Sequence, residues 1–254
     1  HLAVVGLGPG EARHRTPAAA DAISRADVVI GYGPYLEQAA DLLTPAHEAV
    51  GSPIGDEEGR VARALAEAEA GRRVALVCSG DAGVYALASL VWEAVGLDST
   101  GSARPAAGTD ADVEVVPGVT AALAAASLLG APLGHDHAAI SLSDLLTPWE
   151  DIERRLEAAA AGDFVVALYN PRSRGRPHHL DRARALFLEH RSPDTPVGVV
   201  TDAYRPGQQV TVTTLGGFDA ETVGMTTVVI VGASSTRPVA GGMVTPRRVP
   251  VKLR

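Results

Sequence analysis

Short apolar runs, each closed by glycine, proline or a hydroxyl residue, alternate along this chain with longer stretches of helical periodicity. Leu2-Ala3-Val4-Val5-Gly6, Asp27-Val28-Val29-Ile30-Gly31 and Val74-Ala75-Leu76-Val77-Cys78 read as buried strands, the last as a parallel one with both faces covered. Thr16 followed by Pro17 starts a helix, a capping hydroxyl ahead of a first-turn proline. Residues 57–70 alternate charge and alanine at helical spacing, and a further helical pattern begins at Tyr85-Ala86-Leu87-Ala88. Val113 to Val116 is the next strand, and Ala121 to Leu129 is a nearly all-apolar helix whose alanines permit close packing.

The second half repeats the alternation. Strands are predicted at Ala138–Leu142, Phe164–Leu168, Pro196–Val200, Gln209–Thr213 and Thr227–Val231, with a helix at Trp149–Ala161. Strand-turn-helix units in each half predict two α/β domains, residues 1–118 and 119–254. Residues 98–111, rich in Ser, Gly, Thr, Pro and Asp, read as a surface loop.

Ligands of open α/β folds sit beyond the carboxyl ends of strands, so the turns there carry the candidate chemistry. Ser79-Gly80-Asp81-Ala82-Gly83 offers a hydroxyl, a carboxylate and glycines that let backbone amides approach a ligand. The same Ser79 or Asp81 would also serve as a helix cap. In Gly6-Leu7-Gly8-Pro9-Gly10 the dinucleotide fingerprint would need glycine at Glu11, and Pro9 removes an amide donor, so a nicotinamide cofactor is not expected. Tyr32 and Tyr35 follow the second strand, facing a ligand or half-buried in packing. His135 and His137 have the spacing of a metal pair, but no third or fourth ligand follows, and no metal is expected. Arg172, Arg174 and Arg176, with His178 and His179 beyond, form a basic cluster suited to an anionic ligand or to a solvated loop. Glycine, hydroxyl and acid turns at several strand ends suit a cleft between domains.

Composition narrows the classes. With 254 residues and 46% hydrophobic content a sizeable core is available, but aromatics are only 4%, so its volume comes from Ala, Val and Leu. A net charge of -8 argues against nucleic acid as partner. The single cysteine, Cys78, cannot form an internal disulfide, which fits a reducing cytoplasm, and its place in a strand suits a small buried apolar residue. No apolar run has membrane-spanning length, and no secretory leader is visible. His1 stands where an initiator Met would, so the natural start is expected to be missing or altered.

Gly6-Leu7-Gly8-Pro9-Gly10, Ser79-Gly80-Asp81-Ala82-Gly83-Val84-Tyr85, Val116-Pro117-Gly118-Val119-Thr120-Ala121 and Thr213-Thr214-Leu215 together resemble the tetrapyrrole methylase family, over essentially the whole chain. Gly31-Tyr32-Gly33-Pro34-Tyr35, Leu133-Gly134-His135-Asp136, the segment 141–149 and Leu168-Tyr169-Asn170-Pro171-Arg172-Ser173 resemble its precorrin-3B C17-methylating branch, as do Ser234 to Arg237 and Met243 to Arg247. The resemblance implies two α/β domains with an interdomain cofactor cleft, S-adenosylmethionine as cofactor, a tetrapyrrole substrate and a homodimer. It implies that Ser79, Gly80, Asp81 and Val84 contact the methionine part, with Thr120 and Ala121 beside them. Tyr169, Asn170 and Ala203 would hold the adenosine, and Pro9 would lie near cofactor and substrate. The reaction implied is methyl transfer to carbon 17 with ring contraction to precorrin-4, for which His135, His137, Tyr32 and Tyr35 are the acid/base candidates. A sibling methylase acting at another ring position, or on the cobalt-containing substrate, would share every cofactor motif. Uroporphyrinogen methylases of the family carry an aspartate where Tyr32 falls, so that base does not transfer. Ala82 stands where many members have proline.

Overall fold

The computed structural model describes residues 1–96, 111–173 and 175–247. The expected surface loop, apart from Ala111, and Arg174 lie outside them. The chain divides into two compact units, His1–Ala121 and Ala122–Arg254.

In the first unit the elements run β1 Leu2–Gly6, α1 Pro17–Ser24, β2 Val28–Tyr32, α2 Gly33–Gln38, β3 Glu48–Ser52, α3 Glu57–Glu69, β4 Val74–Cys78, α4 Leu87–Gly96 and β5 Val113–Val116. The five strands form one sheet in the order β3-β2-β4-β1-β5, every pairing parallel. Alternate residues of a strand face opposite sides. Leu2, Val4, Ile30 and Leu76 pack with Val61 and Ala64 of α3 and Val91 of α4, while Ala3, Val5, Val29 and Val77 pack with Ala19 and Ile23 of α1. Both faces are covered, which is why the central runs show no polar alternation. Each fully buried leucine or isoleucine contributes about 1.5–3 kcal/mol. The Thr16 hydroxyl caps α1, accepting from the Ala19 N–H at 3.1 Å.

Two details differ from expectation. The helix after β4 begins at Leu87, not Tyr85, because the turn needs a left-handed residue and Tyr85 supplies it at φ 52. Strand β3 gave no signal because it is an edge strand with residues exposed or half-buried.

The second unit contains α5 Ala121–Leu129 (its first residue closing the first unit), β6 Gly130–Ala131, β7 His137–Ser141, α6 Trp149–Ala161, β8 Val165–Tyr169, α7 His179–His190, β9 Pro196–Thr201, β10 Gln209–Thr214, β11 Thr227–Val231, β12 Arg237–Val239 and β13 Gly242–Val244. Its main sheet is ordered β10-β9-β11-β8-β7, with only β7 and β8 parallel neighbours. Two antiparallel steps give β9 the direction of β8, so β7, β8 and β9 end on one edge of the sheet. Ile152 and Leu156 of α6 and Leu180 and Phe187 of α7 pack on Ile140, Leu168, Val197 and Val229. A second, three-stranded sheet is ordered β12-β13-β6. Strand β8 begins one residue later than its apolar run, since Phe164 is exposed, and β7 starts on His137.

Candidate functional site

In the first unit the loops after β1 and β4 leave adjacent strands for opposite faces, one towards α1 and the other towards α4. Such a divergence opens a crevice at the carboxyl ends of the two strands. Here the crevice is floored by backbone. Gly8 N–H donates to Gly80 O at 2.9 Å and Gly80 N–H returns a bond to Gly8 O at 3.0 Å, while Leu7 N–H reaches Cys78 O at 2.8 Å. Gly8 and Gly80 take φ of 74 and 67, which side-chain-bearing residues rarely adopt. A Cβ on Gly6 would lie 2.7 Å from Gly80 O and 2.8 Å from Gly118 N, and one on Gly118 would overlap Gly80 O. Three strand-end loops therefore meet without intervening side chains.

Asp81 braces the meeting. Its Oδ1 accepts from Gly83 N–H at 2.8 Å and its Oδ2 from Gly118 N–H at 2.9 Å. It is not a simple helix cap, since one of its partners lies in the β5 loop. An ionised carboxylate offers about four acceptor sites, so capacity remains for a cationic group. Ser79 is half-buried beside it, Gly80 and Pro9 are buried, and Val84, Thr120 and Ala121 are half-buried. The structure thus gathers the first-unit residues expected at the cofactor around one crossing of loops.

Gln38, which the sequence did not single out, holds the β1 loop from below. Its Nε2 lies 3.2 Å from Gly8 O and 3.1 Å from Gly10 O. Arg15, almost wholly buried, donates to Gln38 O at 2.7 Å and is paired with Asp41. That guanidinium bond holds the Asp41 carboxyl below its ordinary range. Burial and internal pairing, which have no signature in a single sequence, hid both residues.

Tyr32 and Tyr35 pack edge to face, ring centroids 5.3 Å apart. They line a cavity of about 150 Å³ with Cys78, Ser79, Tyr85, Glu57 and Arg60. Burial raises the Cys78 thiol to about 11, so it lines this wall as a neutral group. Desolvation opposes ionisation of Glu57, but backbone N–H donors and Arg60 outweigh it and hold the carboxyl below its usual range. A larger hollow of about 460 Å³ lies at the amino ends of β1, β4 and β5, lined by His1, Arg25, Arg73 and Glu114. Size alone would favour it. Its arginines are committed to Asp21 and Asp27, however, and it lies away from the strand-end loops, so the smaller cavity is the better candidate.

In the second unit, Tyr169 ends β8 with its hydroxyl accepting from Ala122 N–H at 3.0 Å, at the start of α5. Asn170 follows in a left-handed conformation at φ 49 and donates to Ser141 Oγ at 3.0 Å. Ala203 lies between Asp202 and Tyr204, both left-handed, just past β9. Tyr169, Asn170 and Ala203 thus share the edge where β7, β8 and β9 end. His135 and His137 are exposed on the approach to β7, and His137 Nδ1 lies 3.3 Å from His135 O. Within the first unit the structure brings the tyrosines to a cavity with Ser79, and within the second it sets His137 beside His135.

The open arginine cluster needs correction. Arg176 is only 9% exposed, and its Nη1 donates to Leu142 O at 3.0 Å and Asn170 O at 2.9 Å. Arg172 is half-buried and donates to Ala220 O at 2.8 Å, while Arg174 lies outside the described residues. Unsatisfied carbonyls at the ends of β7 and β8 draw Arg176 inward, where it organises turns. Among the described residues a cluster with metal-ligand spacing occurs at exposed Glu157, Glu189 and His190, and it includes neither His135 nor His137. No described helix is long and apolar enough to cross a membrane.

Comparison with known proteins agrees with this architecture. Residues 1–219 match the tetrapyrrole (corrin/porphyrin) methylases. The chain is 46% identical to the probable cobalt-factor III C(17)-methyltransferase of Salmonella typhimurium, over 97% of this chain and 98% of that protein. It is 44% identical to the precorrin-3B C(17)-methyltransferase of Sinorhizobium sp, over 93% and 90%. The cobalt-factor III methyltransferase of Priestia megaterium is also 46% identical, but the chain spans 44% of its length. The crystal structure of the methyltransferase CobJ superposes with a TM-score of 0.89 at 40% identity, covering 96% of this chain and 99% of that one. A uroporphyrin-III C-methyltransferase from Thermus thermophilus, complexed with S-adenosylhomocysteine, shares the fold at TM-score 0.68 and 24% identity. With a matching family over most of its length and relatives above 40% identity across nearly all of it, this chain belongs to the tetrapyrrole methylase family.

Proposed function

We propose that this methyltransferase transfers a methyl group from S-adenosylmethionine to carbon 17 of precorrin-3B, with ring contraction to precorrin-4, in cobalamin synthesis. The observation that carries the reading is the three-loop crossing at Gly8, Gly80 and Gly118, braced by Asp81. The donor set suits the cofactor: a half-buried carboxylate with spare acceptor capacity for its ammonium, next to the Ser79 hydroxyl. When bound, the cofactor supplies an electrophilic methyl on sulfur. The protein's part is alignment, because holding nucleophile and methyl in line supplies of order 7–11 kcal/mol in favourable cases. Gly8 and Gly80 are fixed by their reciprocal bonds, and Gln38 and Arg15 back them, so the loops enter the reaction already ordered. Tyr169, Asn170 and Ala203, on one edge of the second unit's main sheet, are the adenosine side of the reading.

Contraction of the ring requires a tertiary alcohol to lose its proton as carbon migrates. Tyr32 and Tyr35, at the cavity beside Ser79, are the favoured relay, ahead of the exposed His135 and His137: a phenol oxygen takes the alcohol's proton as its own O–H passes a proton to water. The enzyme acts as a cytoplasmic homodimer. A second reading, methylation of the cobalt-containing counterpart, is favoured by the two relatives named for cobalt-factor III. Incubating the protein with methyl-labelled cofactor and each tetrapyrrole, then reading product mass and the carbon-13 methyl position, decides between them. Absence of labelled product from both tetrapyrroles rejects both readings.

A further inference from the structure

We infer that Leu145 and Leu146 form an apolar platform for the face of the substrate macrocycle, on a loop that Asp144, Arg176 and His179 fix beside the Tyr169–Asn170 turn. The inference rests on the tetrapyrrole reading above and adds to it a substrate-contacting element. Leu145 is 82% exposed and Leu146 97%, the two most exposed large apolar residues among those described. A lone exposed leucine needs no explanation, whereas an adjacent pair on a braced loop at a ligand-binding edge invites one.

The loop is rooted firmly. Leu142 is fully buried, and its N–H donates to Tyr169 O at 2.9 Å. Its carbonyl lies 3.0 Å from both Arg176 Nη1 and His179 Nδ1. The Asp144 carboxylate faces the same two side chains, at 3.8 Å from Arg176 Nε and 3.6 Å from His179 Nε2. At the far end Trp149 stacks on His179, ring centroids 4.2 Å apart. Both feet of the loop therefore stand on the His179 side chain, and Arg176 shares its Nη1 between Leu142 O and Asn170 O. A loop so braced holds two leucines in water without collapsing them onto the core.

The occupant follows from chemistry. A tetrapyrrole presents a broad apolar face and an anionic rim, and a chain of net charge -8 gains by contacting the face. Of the flanking carboxylates, Asp144 faces Arg176 and His179 and Asp151 faces Arg154, so they oppose the anionic rim less than unpaired acids would.

The test is Leu145→Ser/Leu146→Ser in the full chain. Binding of precorrin-3B and of cobalt-factor III is read by their visible absorbance, S-adenosylhomocysteine binding by calorimetry, and association state by sedimentation. Losing about tenfold or more in macrocycle affinity with cofactor affinity kept is the expected result. Asp144→Ala should weaken the same binding several-fold, and Asp144→Glu should restore it, a rescue that a merely structural loss would not show. Unchanged macrocycle affinity in the folded double variant overturns the proposal, as does a fall from dimer to monomer, which would make the leucines a contact between copies. Failure of the wild type to methylate either tetrapyrrole rejects the functional reading separately, since the binding titrations still decide the platform.

Discussion

Asp81 and Gly118 are 37 residues apart in sequence, and the Asp81 carboxylate joins them by accepting the Gly118 N–H at 2.9 Å. The loop after β4 and the loop after β5 are thereby one structure. Asp81→Ala should lower S-adenosylhomocysteine affinity roughly tenfold or more, since a charge-assisted hydrogen bond contributes about 1.5–3 kcal/mol. Calorimetry on the folded variant checks this. Wild-type affinity would leave Asp81 as a brace with no part in binding.

Glycine at 118 is required by its neighbours. Gly118→Ala should destabilise the protein by about 2 kcal/mol or more, because the new methyl meets the backbone of Gly6 and Gly80, which no rotamer change relieves. Gly224→Ala, where a Cβ meets nothing within 4 Å, should stay within about 0.5 kcal/mol of wild type. Urea unfolding of both variants provides the comparison.

Acid should weaken the support beneath the β1 loop. The folded Asp41 carboxyl lies below its ordinary value of 3.8, chiefly through its hydrogen bond to Arg15. A depressed carboxyl stabilises the fold fully above the unfolded pKa, and that contribution is lost as pH falls through the folded one. Asp41 is half exposed although Arg15 is not, so solvent limits the contribution to under about 1 kcal/mol. Stability of Asp41→Asn should trail wild type at neutral pH and converge with it below about pH 4. Parallel pH curves would show that the pair contributes nothing.

Cys78 should resist alkylation. Burial raises its thiol to about 11 and leaves the residue 2% exposed, so little thiolate exists at pH 8. Iodoacetamide should label the unfolded chain readily and the native protein far more slowly, by mass spectrometry. Equal rates would mean that the β4 end opens freely.

What the sequence showed was whatever burial writes as an apolar run. β4 and β11 were legible residue for residue because both faces of each are covered, and α1 because Thr16 and Pro17 mark its start. β3 was not, since an edge strand carries a mixed pattern, and α7 was obscured because its apolar Leu180, Ala183 and Phe187 are diluted by charge. The glycine turns announced the site, yet their mutual hydrogen bonds are long-range and leave no local trace. Arg176 shows the limit most clearly. In sequence it belongs with Arg172 and Arg174, and only the fold shows its side chain turned inward to Leu142 and Asn170.

The pairing of Gly8 with Gly80, closed by Gly118, also has a consequence during synthesis. The Gly118 contact cannot form until the strand preceding it has left the ribosome and found its place beside β1. Contacts so far apart in sequence pay their loop-closure entropy before any is rewarded, so they form slowly. A nascent chain of about one hundred residues would contain both β1 and β4 with their glycine turns, yet lack the Gly118 N–H that Asp81 accepts. The latch between Asp81 and Gly118 therefore waits for the last strand of the first sheet, although the loop that carries Asp81 is made much earlier.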